Sequence, residues 1–510
     1  MAEKTRRARS IMVLGTSSHA GKSTVAAAIC RSLRRKGLSV APFKAQNMSN
    51  NSWVTPEGGE IGRAQAVQAR AADIEPHVDM NPILLKPSAG GVQVVALGRV
   101  IANLDARGYY ARIEEMRAVA QSAYDRLAAR YDVIVLEGAG SPAEINLRAE
   151  DLVNMAMAEY AGSACILVAD IDRGGVFASI LGTLQLMPEP KRARMAGVVI
   201  NKFRGDASLL DSCIREITDR TGVPILGVLP WTDAFRLDEE DSLGLAGSPT
   251  GRLLDIAVLR FPHISNFTDF APLERIPDLS LRYVAKPEAL GNPDLIILPG
   301  SKNVRADADW LRSGGFDRAL RAAEARAIPI LGICGGYQIL GTRISDPFGV
   351  EGPPGDTEGL GLLPVRTRLE PEKELCRVEA ENLGLPFLQS GVAVTGYEIH
   401  AGQTEPDGRI PAGGKDAGEG LPALRLIAKN GRISRTPSGC VSVDALVSGC
   451  YLHGLFDSQS VRRGLCDWLS ARKGVPERAW EAAVAGADPY EAAADWLESH
   501  FDPMSLLTDS

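Results

Sequence analysis

Short, almost uninterrupted apolar runs alternate with amphipathic segments over roughly the first 235 residues. The runs have the length of strands, and their continuous apolar character is typical of parallel strands buried on both faces. The segments between them carry apolar residues at helical spacing. The predicted strands are 10–15, 38–43, 132–137, 164–170, 196–201 and 224–229, and the predicted helices are 23–35, 114–129, 176–186 and 207–221. This alternation predicts a doubly wound, parallel-sheet α/β domain.

A second series of the same kind follows a polar, glycine-containing stretch. Its predicted strands are 254–260, 295–298, 328–333, 391–395 and 447–452, with a surface loop at 405–422. A chain of 510 residues is also too long for one hydrophobic core. We therefore predict a first α/β domain at 1–236, a linker at 237–252, a second α/β domain at 253–461 and a helical tail at 462–510.

Composition excludes several classes of protein. The formal net charge of −7 argues against a general affinity for nucleic acid or for anionic membranes. The first apolar stretch, Ile11–Leu14, is only as long as a strand, so we expect no signal peptide and no membrane span. The eight cysteines show neither CxxC nor paired spacing. A reducing cytoplasm fits them best.

One cysteine stands in a pattern of its own. An apolar run ends at Gly332-Ile333, Cys334 follows, and Gly335 and Gly336 lead into a helix-like segment. This order predicts a nucleophile elbow, a sharp strand-to-helix turn that presents one side chain. A cysteine that only fills the core has no need of glycines on both sides. Cys334 is therefore the candidate nucleophile.

A cysteine nucleophile needs a base and a site for the oxyanion. Among the six histidines, His453 is the best candidate base, because it follows the apolar run 447–452 and precedes a glycine. His400 is the second candidate, although its alternating segment favours a structural role. Backbone N–H groups near Gly300, at the end of the strand 295–298, and at Gly335 are the candidate oxyanion donors.

A glycine-rich turn lies at the start of the first domain. Gly15 and Gly21-Lys22-Ser23-Thr24 join the first strand to the first helix, with five residues between the glycines instead of the common four. In such a loop the backbone N–H groups face phosphate oxygens, the lysine adds a positive charge and a hydroxyl ligates Mg²⁺. This segment predicts a phosphate-binding loop.

Carboxylates end two further strands of the first domain. Glu137 and Asp170 stand at the carboxyl ends of 132–137 and 164–170, the edge where parallel sheets bind ligands, so both are candidate Mg²⁺ ligands. A run of amides and hydroxyls with one lysine, 44–52, follows the second strand. Such a run either binds a polar, carboxylate-bearing substrate or is a polar surface loop.

Several motifs together resemble the cobyric acid synthase family of glutamine amidotransferases in the cobalamin pathway. They occur in the expected order over nearly the whole chain, and the phosphate-loop spacing is also similar to that of dethiobiotin synthetase. The motifs are Lys-Ala-Gln-Asn-Met-Ser (44–49), Asn-Pro-Ile-Leu-Leu-Lys-Pro (81–87), Glu-Gly-Ala-Gly-Ser-Pro-Ala-Glu-Ile-Asn-Leu (137–147), Asp-Arg-Gly-Gly-Val-Phe-Ala-Ser (172–179), Leu-Pro-Gly-Ser-Lys-Asn (298–303), Gly-Tyr-Glu-Ile-His (396–400) and Tyr-Leu-His-Gly-Leu-Phe (451–456).

The resemblance implies a dethiobiotin-synthetase-like P-loop domain followed by a class I glutamine amidotransferase domain. It implies ATP- and glutamine-dependent amidation, through acyl phosphates, of the b, d, e and g carboxylates of adenosylcobyrinic acid a,c-diamide, a corrinoid. ATP, L-glutamine and Mg²⁺ are the implied small molecules. Cys334 and His453 would release ammonia, and Lys44, Gln46 and Asn47 would contact substrate or phosphate.

One departure from the broader class concerns His453. Many class I amidotransferases have His-Pro-Glu, whereas Gly454, Leu455 and Phe456 follow the histidine here, as they do in the resembled family. The group that orients the imidazole is left open between Glu398, Asp457, a backbone carbonyl and none.

Three rival families share part of this layout. CTP synthase has the same domain order, and cobyrinate a,c-diamide synthase has the same chemistry on other carboxylates; the segment 44–49 counts against both. A P-loop partitioning ATPase has no use for a second domain with a cysteine elbow.

Overall fold

The computed structural model describes residues 8–88, 91–147, 151–235, 237, 251–407, 420–475, 480 and 488–507. The predicted linker at 237–252 falls almost entirely outside these ranges, as does most of the predicted loop at 405–422. The chain forms two compact units. The first contains 1–49, 59–240 and 487–510, and the second contains 50–58 and 241–486.

A six-stranded parallel sheet forms the centre of the first unit. Its order is Ile225–Pro230, Met195–Phe203, Ala164–Asp170, Arg9–Gly15, Val133–Glu137 and Val40–Phe43. Residues 11–14 of the central strand are fully buried, because hydrophobic side chains cover both faces of the sheet. The predicted doubly wound architecture is confirmed, with strand boundaries within a few residues of those predicted.

Helices pack around this sheet. They are Lys22–Arg35, Arg63–Ala71, Ala106–Tyr110, Ile113–Ala128, Met155–Ala161, Val176–Leu186, Glu189–Arg192, Asp211–Thr221 and Pro489–Glu498, with short 3-10 turns at Val78–Met80, Ile145–Leu147, Ala207–Leu210 and Pro503–Leu507. A smaller sheet that the sequence pattern did not indicate contains Gln46–Met48, Ile83–Ser88, Gly91–Ala96 and Arg99–Leu104. The strand Glu60–Gly62 precedes the helix Arg63–Ala71.

The second unit is built on another mostly parallel sheet. Its order is Leu279–Val284, Leu254–Leu259, Leu295–Leu298, Ile330–Ile333, Val447–Cys450 and, antiparallel at the edge, Cys440–Val441. Its helices are Ala271–Glu274, Val304–Ser313, Phe316–Ala325, Gly335–Leu340 and Gln459–Lys473, with 3-10 turns at Phe267–Phe270, Pro287–Ala289 and Leu455–Asp457. The short strand Ser52–Val54 and the antiparallel pair Ile264–Ser265 and Gly300–Ser301 belong to the same unit.

A second, largely antiparallel sheet corrects one prediction. The segment 391–395 was expected in the parallel series, but it begins the strand Ala393–Pro406, which pairs antiparallel with the long strand Val365–Asn382. Hydrophobic and polar positions alternate along both strands, which is typical of a sheet with one solvated face. The remaining strands are Gly355–Glu358, Arg343–Asp346, Leu424–Lys429, Arg432–Ile433 and Pro437–Ser438.

Among the helices in the described part of the chain, none combines the length and the apolar character that a membrane crossing requires.

Candidate active sites

The phosphate loop of the first unit is closed by its own lysine. A Cβ atom at Gly15 would lie 2.9 Å from both Cδ and Nζ of Lys22, so only glycine lets this side chain fold back across the loop. Lys22 Nζ donates to the carbonyl oxygens of Ser17 at 2.8 Å and Gly140 at 3.1 Å. The lysine is thereby aimed into the loop, where a phosphate group would exchange for these carbonyls.

The second glycine of the loop is fixed for a different reason. Gly21 has φ +99°, a left-handed conformation that favours glycine, and a Cβ atom there would lie 2.1 Å from Nδ2 of Asn201. That amide donates to the carbonyl of Ala20 at 2.9 Å and so supports the loop from the strand Met195–Phe203. Ser23 and Thr24 occupy the first turn of the helix Lys22–Arg35.

A buried polar network joins the loop to Glu137. The carboxylate accepts hydrogen bonds from Ser23 Oγ at 2.8 Å, from Lys44 Nζ at 3.0 Å and from the amide of Gln68. Burial would raise the pKa of Glu137, but the charge of Lys44 and the three hydrogen bonds lower it below its ordinary value. The carboxylate is therefore ionised, with a lysine as its counter-charge.

The oxygen atoms of this network fit a hard divalent cation. Ser23 and Glu137 offer a hydroxyl and a carboxylate side by side, which are ligands that Mg²⁺ accepts. Asp170 lies at the same loop but is differently engaged: its Oδ2 accepts from Lys202 Nζ at 2.8 Å, and that lysine also donates to the carbonyl of His19. Each of the two predicted carboxylates is thus paired with a lysine, and Glu137 also accepts the Ser23 hydroxyl.

The other predicted substrate residues are held by polar neighbours. Tyr109 donates its hydroxyl proton to Gln46 Oε1, and Asn47 Nδ2 donates to Gln65 Oε1 at 3.2 Å. The contributions of Gln65 and Gln68 were missed in the sequence. The available signal was their spacing of three in an alanine-rich helix, which places two amides on one buried face.

Cys334 of the second unit occupies the predicted elbow. The strand Ile330–Ile333 ends immediately before it and the helix Gly335–Leu340 begins immediately after it. Its backbone, with φ 51° and ψ −107°, is in a region that residues other than glycine rarely adopt. The thiol lies 3.5 Å from the carbonyl oxygen of Ile399. This strained turn presents the sulfur at the end of the sheet.

The His453 ring is buried between Cys334 and a carboxylate. Its Nδ1 lies 2.6 Å from Oδ2 of Asp269, and Asp269 Oδ1 accepts the backbone N–H of Gly454 at 3.0 Å. Because an ionised carboxylate only accepts, Nδ1 carries the proton. Cys334 also acts on the ring, through its charge and a hydrogen bond. The three side chains form a Cys–His–Asp series.

The charges around His453 favour its protonated form. Complete burial would lower the pKa of the imidazole, but the charge of Asp269, then that of Cys334, and the hydrogen bonds of both raise it to about 10. The geometry thus stabilises an imidazolium beside the sulfur, which is the arrangement that a thiolate nucleophile requires.

Asp269 answers the question that the sequence left open. Neither proposed carboxylate is the hydrogen-bonding partner of Nδ1: Glu398 Oε2 instead lies 3.1 Å from Lys429 Nζ and 3.7 Å from His400 Nε2. His400 itself stacks on Tyr451, with ring centroids 3.6 Å apart. No sequence signal pointed to Asp269, which lies 184 residues before His453.

The two predicted oxyanion residues lie beside the same centre. A Cβ atom at Gly300 would approach Cε1 of His453 to 3.1 Å, and one at Gly335 would approach the backbone nitrogen of Ser301 to 2.7 Å. Gly300 therefore lies close to the His453 ring, and Gly335 packs against the backbone of Ser301.

Comparisons with known proteins match two family models to consecutive parts of the chain. Residues 11–244 match the CobQ/CobB/MinD/ParA nucleotide binding domain, and residues 255–461 match the CobB/CobQ-like glutamine amidotransferase domain. A cobyric acid synthase of Chlorobaculum tepidum is 45% identical over 98% of this chain and 97% of its own length. Those of Desulforudis audaxviator (49%, over 92% of each chain) and Salmonella typhimurium (46%, over 98% of each) are similarly close.

Proposed function

The chain belongs to the cobyric acid synthase family, and from that premise we propose that it converts the b, d, e and g carboxylates of adenosylcobyrinic acid a,c-diamide to amides. It is a glutamine-dependent amidating ligase. The corrinoid substrate is proposed from the similarity to the cobyric acid synthases. The observation that carries the ammonia-releasing half-reaction is the Cys334–His453–Asp269 series, because a buried imidazolium beside a cysteine is suited to release ammonia from glutamine.

The first half-reaction activates the acceptor. A carboxylate is a poor acyl donor because its leaving group would be oxide, so ATP first converts it to an acyl phosphate. Lys22 and the loop N–H groups stabilise the charge on the transferred phosphoryl group. Mg²⁺, when held by Ser23 and Glu137, supplies further neutralisation of phosphate charge. Lys44, whose Nζ donates to Glu137, would contact the acceptor carboxylate or phosphate together with Gln46 and Asn47.

The second half-reaction supplies nitrogen. The Cys334 thiolate attacks the side-chain amide carbon of glutamine, and backbone N–H groups near Gly300 and Gly335 stabilise the oxyanion. His453 gives a proton to the leaving nitrogen, so ammonia departs and a glutamyl thioester remains. Water, deprotonated by His453, then cleaves the thioester to glutamate. Ammonia attacks the acyl phosphate carbon, phosphate leaves, and the amide is formed.

Mass spectrometry of the corrinoid tests the proposed substrate directly. After incubation with ATP, Mg²⁺, glutamine and adenosylcobyrinic acid a,c-diamide, we expect the mass change of four carboxyl-to-amide conversions and none without ATP. An unchanged corrinoid mass, with glutamine hydrolysis intact, would contradict this substrate assignment.

Replacing Asp269 tests the proposed series. We expect Asp269→Asn to lower the glutaminase kcat on the order of 10²- to 10⁴-fold, because the imidazolium loses its counter-charge and its tautomer is no longer fixed. Ammonia-dependent amidation should be unchanged. A wild-type glutaminase kcat in this variant would contradict the role of Asp269.

The same variant has a predicted pH signature. The His453 pKa is raised from 6.5 to about 10. The stability that the protonated ring contributes to the folded protein is therefore fully present below pH 6.5 and is lost as pH rises through 10. Without the aspartate charge this upper boundary should move to lower pH. The alkaline limb of the glutaminase pH profile should shift in that direction.

A further inference from the structure

Two asparagines exchange hydrogen bonds close to the carboxylate that holds His453. Asn51 Oδ1 accepts the backbone N–H of Phe267 at 3.1 Å, and Asn266 Oδ1 accepts the backbone N–H of Ser52 at 2.8 Å. Asn51, Ser52 and Asn266 are buried, and all of these residues belong to the second unit. The exchange binds residues 51 and 52 to the start of the turn Phe267–Phe270.

This turn carries Asp269. Asn266 begins it in a left-handed conformation, with φ 49°, and its carbonyl accepts the N–H of Asp269 at 3.0 Å. Asparagine tolerates such a backbone better than most residues. The hydrogen bond from Ser52 to the side chain of Asn266 therefore fixes the residue whose carbonyl accepts the Asp269 backbone N–H.

The same short segment also supports the His453 ring through an aromatic neighbour. Ser52 accepts the hydroxyl proton of Tyr397 on its carbonyl at 3.1 Å, and the Trp53 ring lies 4.5 Å from the Tyr397 ring. Tyr397 stacks on His453 with centroids 5.4 Å apart and an interplanar angle of 22°. Backbone hydrogen bonds in both directions join these two residues.

We propose that Asn51–Trp53 and Asn266 are positioning residues of the glutaminase centre, acting on His453 through Asp269 on one side and through Tyr397 on the other. The inference rests on the proposed function for the reaction that it positions. Asn51 and Ser52 are the last residues of the polar run 44–52 that begins at Lys44, so one stretch of sequence would serve both chemical sites.

The variant Asn266→Gly tests this role, because glycine keeps the left-handed backbone and removes only the amide. We expect the glutaminase kcat to fall between about 10- and 100-fold with little change in KM, as for a small misplacement of catalytic groups. The alkaline limb of the pH profile should move to lower pH, since Asp269 and Cys334 are the charged groups acting on His453. Ammonia-dependent amidation should stay at the wild-type rate.

A matched control is available in Asn430→Gly. Asn430 also has a left-handed backbone, with φ 46°, and its side chain also accepts a backbone N–H, from Arg377 at 2.8 Å. It lies near Gly58, at the other end of the segment 50–58, so it tests whether loss of an asparagine amide elsewhere in the same unit is sufficient. Equal losses of kcat in both variants, or an unshifted pH profile in Asn266→Gly, would overturn the proposal.

A second variant keeps the test decisive if Asn266→Gly folds poorly. Asn51→Ala removes the other half of the exchange, and we expect a similar loss of kcat and the same direction of pH shift. The double variant should be no worse than the poorer single variant, because both act through one turn. Additive losses would contradict a shared route. Absence of glutaminase activity in the wild type would instead contradict the proposed function.

Discussion

Cys334→Ala is expected to reduce glutamine-dependent amidation by on the order of 10⁴-fold or more, since no other group can form the thioester. Amidation with added ammonia should continue at the wild-type rate, because the proposed formation of the acyl phosphate does not involve Cys334. The measurement is corrinoid mass after incubation with either nitrogen source.

A second buried cysteine provides the control for Cys334→Ala. Cys466 is fully buried in the helix Gln459–Lys473. Cys466→Ala should keep both glutamine- and ammonia-dependent amidation and should lower the free energy of unfolding only modestly. Loss of glutamine- and ammonia-dependent amidation together in a folded Cys334→Ala protein would contradict a division of labour between two sites.

Lys22→Ala is expected to abolish amidation with either nitrogen source, by at least about 10³-fold. The lysine supplies a charge that backbone N–H groups alone do not replace, so the acyl phosphate no longer forms. Release of inorganic phosphate and corrinoid mass measure this loss.

Lys36→Ala is the matched control for Lys22→Ala. Lys36 follows the same helix at its other end and pairs with Asp502 on the surface, so both activities should persist. Synthesis retained in Lys22→Ala would mean that the phosphate loop is not the site of activation.

The parts of the molecule that could be predicted from sequence are those with a local physical signature. Parallel strands that are buried on both faces appear in the sequence as apolar runs, so the two central sheets could be predicted. Cys334 and the loop from Gly15 to Thr24 could be predicted because glycines must flank them for steric reasons. The sheet containing Ala393–Pro406 was missed as a separate layer, because a single strand does not disclose its partners.

The missing parts depend on contacts between distant residues. Asp269 lies in a turn that carries no recognisable sequence motif. Only the fold brings its Oδ2 to within 2.6 Å of Nδ1 of His453, 184 residues later in the chain. The sequence also predicted Glu137 as a metal ligand. Its hydrogen bonds from Lys44 and Gln68 could not be predicted, because they form only when three segments distant in sequence come together in the fold. Local pattern identifies the reactive atom, whereas tertiary contacts determine what tunes it.

The membership of residues 50–58 in the second unit has a consequence for how this protein could have been assembled in evolution. A glutaminase module that began at the linker would lack Ser52 and Trp53, the residues on which Tyr397 rests. Exchange of that module between enzymes must therefore carry along an internal piece of the preceding gene segment. The chain enters the second unit at 50–58, returns to the first and enters the second again after residue 240, so a module cut at the linker would lose these contacts.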